Sequence, residues 1–272
     1  MLLHAVRADE GLSALGSGLA EVSVNGISLG LCALYGRTDA TMVARWSRGS
    51  GPVLRFSEDL MLNARTEVLD RKFPSSPPPQ GDWLAAPLLI QSGLNERNTP
   101  RARKAVQRLE AFRSGSLKAS QVFDVKDLAR SMALCDLLGT PDALDWWNLR
   151  FLVDSLTEEI VPIPLHVGRR APIDAILAQQ GLEGATHSGK EIVDKALADP
   201  EVLGLYLAYL DTFTTEGWWE VVRERTRASW QTARDAVHAE FPRMDLDLDV
   251  VLHDRTVIRQ ALYPRDMALA YV

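Results

Sequence analysis

The stretch FDVKDLARSMALCDLLGTPDALDWWNLRFLVDSLTEEIVPIPLH, residues 123–166, decides how the rest of the chain is read. Asp124 stands where a helix N-cap is wanted. Leu128, Met132 and Cys135 then recur at helical spacing, with Ala129 and Ala133 beside them, and Gly139 is a stop. A polar turn follows and ends at Asn148. Residues 149–165 read as a β-hairpin with its turn near Ser155–Glu158, stopping at His166. A helix, a polar loop and a strand end are thus brought close together in sequence.

Working outward, residues 19–35 predict a second hairpin. Val22 and Val24 alternate with polar neighbours, and Asn25-Gly26 is a strong hairpin-turn dipeptide. Residues 52–56, PVLRF, predict a short third strand. Four prolines among residues 74–79 exclude a helix or a sheet interior there. After Thr99-Pro100, a cap and first-turn pair, Ala105, Val106, Leu109 and Phe112 follow helical spacing to Gly115. Further helices are expected over 173–180, 192–197, 201–213 and 218–241. A last helix is expected to be capped by Asp254 and to stop near Pro264. The expected fold class is α+β: a small β-containing lobe over residues 1–95, then a larger, mainly helical lobe over 96–272 with an embedded hairpin. No internal repeat is visible.

Composition narrows the functions. The 272 residues carry a net charge of −6 and no long basic run, so nucleic acid is not the expected partner. Only two cysteines occur, Cys32 and Cys135, each in an apolar pattern, so both are expected to be buried free thiols in a reducing compartment. No apolar run approaches the roughly 18 residues of a membrane helix, and residues 1–12 do not read as a signal peptide. The expectation is a cytoplasmic protein with no membrane segment. The sequence leaves open whether Met1 is the true start.

Three stretches in order carry a family resemblance: VSVNGISLGLCALYG (22–36), FDVKDLARSMALCDLLG with DWWNLRF (123–139, 145–151), and LTEEIVPIPLH (156–166). The tail, ADPEVLGLYLAYL through AEFP to RQALYP (198–264), fits the same pattern. The chain resembles the CotH kinases, atypical protein kinases known from spore coats and widespread in bacteria, and the likeness covers nearly its whole length. The resemblance implies a kinase-like fold and ATP-dependent phosphotransfer to a hydroxyl of a protein substrate, with Mg²⁺.

Carried over by position, Asn148 matches the family's metal-binding Asn. The base aspartate falls on Ala143, with Asp142 and Asp145 flanking it as catalytic candidates. The metal-binding aspartate falls on His166, an odd ligand for a hard ion. Gly36 stands where the family has Glu, and the first small-lobe strands, source of the phosphate-gripping cation, are missing from the pattern. Two readings follow. One is a weak CotH-like kinase using ATP and Mg²⁺. The alternative is a non-catalytic pseudokinase or interaction protein that needs neither and keeps the frame for a binding partner.

Each residue also has a plainer reading. Asn148, Asp142 and Asp145 can serve as turn residues, and His166 as a strand-end histidine. The pairs Trp146-Trp147 and Trp218-Trp219 can anchor core packing. Residues 184–190 spell G-x-x-x-x-G-K, but Glu191 stands where a phosphate-binding loop needs Ser or Thr, and a helical pattern precedes it. A phosphate-binding loop is rejected. The five histidines show no metal-ligand spacing.

Overall fold

Apolar alternation in the strands and capped helical stripes between them build a mixed α+β fold in a computed structural model that describes residues 2–36, 51–70, 82–91, 99–165, 171–180, 189–244 and 249–264. In chain order the elements are α1 Leu2–Asp9, β1 Ser17–Val24, β2 Ile27–Tyr35, β3 Val53–Phe56, α2 Asp59–Asp70, β4 Leu88–Ile90, α3 Pro100–Ser114, α4 Val125–Leu137, β5 Leu149–Val153 and β6 Ile160–Pro164. They continue as α5 Leu177–Gln180, α6 Glu191–Leu197, α7 Pro200–Phe213, α8 Glu216–Glu240 and α9 Asp249–Leu262. The strands form two sheets: the hairpin β1-β2, and an antiparallel sheet ordered β4-β3-β5-β6.

The four-stranded sheet divides the apolar residues by strand alternation. Leu54 and Phe56 of β3, Leu149, Phe151 and Val153 of β5, and Ile160 of β6 join the main core. Val53, Leu152, Val161 and Ile163 form a second cluster with Leu15 on the opposite face. Helix α4 packs its apolar stripe into the main core. Leu128, Met132 and Cys135 are all buried, as the helical spacing requires. Its N-cap is Asp124, which accepts from the Asp127 amide at 3.0 Å. Thr99 caps α3 and Pro100 opens it, and Gly115 closes it in the left-handed region.

Residues on both sides of position 95 share this sheet and this core. Strand β3 pairs with β5, and Leu3, Val6, Trp83 and Ala86 sit in the main cluster with α4. Helix α1 is fixed by a buried charge. Arg7 is fully buried and donates to the Ser13 carbonyl, the Ser131 hydroxyl at 2.7 Å and the Pro162 carbonyl. Burial lowers its pKa to about 10, with Cys135 and Asp127 opposing.

The hairpin β1-β2 turns at Asn25-Gly26, both at positive φ, as the dipeptide predicts. A bulge in β2 leaves Leu29 without a partner in the pairing, next to Gly30, which has φ +74°. A Cβ there would strike the Glu240 carboxylate, and Glu240 accepts from the Leu31 amide at 2.6 Å.

Three expectations are corrected. Asp254 does not cap the last helix: it lies within α9, fully buried, and accepts from the Ile173 amide at 3.0 Å. The helix expected over 173–180 is helical only at Leu177–Gln180, because buried carboxylates hold the residues before it in another shape. Cys135 is buried, but Cys32 is only half-buried, because its strand lies in the exposed hairpin. The proline segment 74–79 lies outside the described residues.

Candidate functional site

Helix α4 stops where its backbone meets the segment after β6. Gly139 has φ +57°, and a Cβ there would come within 2.2 Å of the Ala171 carbonyl, so only glycine fits. The chain then makes a single 3₁₀ turn at Pro141–Leu144 and enters β5 at Leu149. Main-chain bonds close this loop in steps: Asp145 N–H to Asp142 O at 3.2 Å, and Asn148 N–H to Asp145 O at 2.8 Å. Asn148 adds a side-chain pin, its Nδ2 donating to the Asp142 carbonyl at 2.7 Å. Its own carbonyl accepts from Leu165 at the end of β6. The structure therefore brings Asp142, Asp145 and Asn148 into one loop. His166 lies outside the described residues.

Asp145 is the most buried of the three. Its carboxylate is mostly buried and accepts from the Lys190 ammonium at 3.2 Å. Burial is the largest influence and raises its pKa. Lys190 pulls the other way, while the negative charges of Asp142 and Glu191 push it further up, and it settles at about 6. Desolvation outweighs the ion pair here.

The Lys190 segment is stitched to the loop a second time. Trp146 N–H donates to the Gly189 carbonyl at 2.8 Å. Gly189 has φ +100°, and a Cβ there would meet the Trp147 ring at 2.5 Å. Trp146 is buried edge-on to Phe56 and Trp147. The Arg65 guanidinium from α2 lies over Trp147, 5.7 Å from its centre. Arg150 is buried just beyond, donating to the Trp147 and Leu149 carbonyls and pairing with Glu58 at 3.3 Å.

Two further acids sit behind the loop. Asp136, at the end of α4, is fully buried and accepts from the Tyr206 hydroxyl and from the Leu177 amide at 3.1 Å. Burial raises its pKa to about 7; the Tyr206 and Leu177 hydrogen bonds oppose this, and the nearby Asp254 charge adds to it. With Asp254 on the Ile173 amide, these acids clamp residues 173–177 against α4, α7 and α9.

The arrangement suits holding a loop more than moving a proton. Asp145 accepts from a lysine through Oδ1, and Asn148 donates its amide nitrogen to the turn. Magnesium takes hard oxygen donors, and the loop offers the carboxylates of Asp142 and Asp145 and the amide oxygen of Asn148. No group of three or more His, Cys, Asp or Glu gathers into a metal cage among the described residues.

The sequence reading missed Lys190 as a site residue. It was set aside with the rejected G-x-x-x-x-G-K match, and nothing in a separation of 45 positions announces its pairing with Asp145. Arg65 was missed for the same reason, because α2 was not read as a helix. No protein-family model matches the chain, and no curated protein matches it.

Proposed function

We propose that this chain is a CotH-like, kinase-related protein in which residues 123–166 correspond to the catalytic helix, loop and metal strand. Its ATP-dependent transfer to a protein hydroxyl is weak or lost, and the frame serves to bind a protein partner. The observation that carries this reading is the Asp145–Lys190 pair. It engages the most buried carboxylate of the loop, while Ala143 stands in the base register and Asn148 donates its Nδ2 to the turn. Transfer of a phosphoryl group depends on positioned carboxylates and metal, and the Lys190 ammonium on Asp145 competes with a metal ion for that carboxylate.

One observation favours the other reading, an active kinase. A carboxyl poised at about 6 is in the range of a general base near neutral pH. Incubation with γ-labelled ATP and Mg²⁺, for wild type, Asp142→Asn and Asp145→Asn, separates the two. The proposal expects no label on the protein or on an added protein acceptor above a no-enzyme blank in any of the three. Incorporation by wild type that Asp145→Asn abolishes would establish the active kinase instead.

A further inference from the structure

The four-stranded sheet ends at β4, and the ladder geometry shows what that edge offers. In an antiparallel pair, residues alternate between exchanging main-chain hydrogen bonds and turning those groups outward. Gln91 N–H donates to Val53 O at 2.7 Å, and Ser57 N–H donates to Pro87 O at 2.7 Å. With Arg55 paired to Leu89, the same phase makes Leu89 the bonded residue. Leu88 and Ile90 therefore turn their N–H and C=O groups away from β3, toward the sheet's open edge. Nothing among the described residues bonds to them there.

Helix α3 runs beside that edge. Arg103, Val106 and Gln107 share one of its faces by their spacing of three and four. With Arg55 and residues 88–91 they line an open cavity of about 760 Å³. A groove between a strand edge and a helix is the shape that accepts an added peptide strand.

The charge of the groove selects the peptide. Arg103 is exposed, and its guanidinium makes no ion pair or hydrogen bond with a described residue. Arg55 reaches Glu58 only at 3.7 Å, and Glu58 lies closer to Arg150, at 3.3 Å. The cationic wall stands out in a chain whose net charge is −6. Val106 and Leu89 supply apolar lining to the same cavity.

We propose that the groove between β4 and α3 binds an extended acidic segment of a partner protein, which adds to the sheet as a fifth strand. Main-chain bonds to Leu88 and Ile90 hold its backbone, and Arg55 and Arg103 take its carboxylates. The three residues of β4 span about 10 Å, so about four residues of the partner engage. The site is separate from the Asp145 loop, and the proposal holds whether or not that loop transfers phosphate.

The test is fluorescence anisotropy with labelled hexapeptides. One alternates Glu with Val, a second alternates Lys with Val, and a third is the Glu peptide with N-methylated amides. The Glu peptide binds at least tenfold more tightly than the Lys peptide at ~50 mM salt, and weakens as salt rises. Arg103→Glu weakens it at least tenfold. Ile90→Pro abolishes binding by removing an edge N–H that takes no part in the ladder to β3, and it also lowers the melting temperature, because the Ile90 side chain packs against the main core. Should that variant fail to fold, the N-methylated peptide puts the same question to the wild-type protein, and it does not bind. Equal binding of the Glu and Lys peptides, undiminished binding of the N-methylated peptide, or no binding of the Glu peptide at millimolar concentration would each overturn the proposal.

Discussion

The two hairpins look alike in sequence and differ in what surrounds them. Every residue of β5 and β6 is buried, and the pair lies against β3 on one side and has apolar clusters on both faces. No residue of β1 or β2 is fully buried. Val24, Ile27, Leu29 and Leu34 are about half exposed or more, and the pair has no third strand among the described residues. Turn chemistry and alternation specify a hairpin; they do not say how much of the molecule will cover it. In the kinase-related reading, the buried hairpin carries the loop with Asn148, and the exposed one corresponds to the roof of a nucleotide cleft. On that proposal, a frame well packed around β5-β6 and thinly covered at β1-β2 is expected to hold its loop well and ATP poorly.

The largest test of this contrast is truncation in the buried hairpin. Phe151 is fully buried beside Phe56 and Phe123. Phe151→Ala costs about 3–5 kcal/mol, measured by urea unfolding. A loss under about 1 kcal/mol would mean the hairpin is not the centre of the core.

A second test uses pH. The folded-state pKa of Asp136 is raised to about 7 from an ordinary value of 3.8. A carboxyl raised on folding leaves its full stability in place below pH 3.8, and that stability is lost as pH climbs toward 7. Its contribution to the slope approaches about 1.4 kcal/mol per pH unit within that window. Comparison of wild type with Asp136→Asn isolates this part, since other groups titrate in both proteins. The difference in their stabilities changes with pH between 4 and 7 and is flat above it. A difference independent of pH would show that Asp136 ionises as freely as in the unfolded chain.

The smallest effect belongs to the exposed hairpin. Leu29 is 58% exposed, so Leu29→Ala changes stability by no more than about 0.5 kcal/mol. A loss above about 2 kcal/mol would show that this sheet is covered after all.

Much of the fold was legible because its signals are local. The cap at Asp124, the stop at Gly139, the Asn25-Gly26 turn and the Thr99-Pro100 start each act within a few residues. What escaped was set by distant partners. Helix α1 reads as a short apolar start until Arg7 is seen bonding to Ser131 and Pro162. Asp254 looks like a cap by type, yet its partner is the Ile173 amide, 81 positions away. The candidate loop followed the same division. Asp142, Asp145 and Asn148 were singled out together by the family resemblance, and the local loop keeps them together. The cation that neutralises Asp145 comes from a segment whose sequence suggested another motif, and no periodicity links the two.

The central claim is that this frame no longer binds a nucleotide for transfer, and titration calorimetry of ATP with Mg²⁺ tests it most directly. The account predicts heats that fit a dissociation constant no tighter than about millimolar, near −4 kcal/mol, unchanged when Mg²⁺ is left out. Magnesium-dependent binding in the low micromolar range would contradict it.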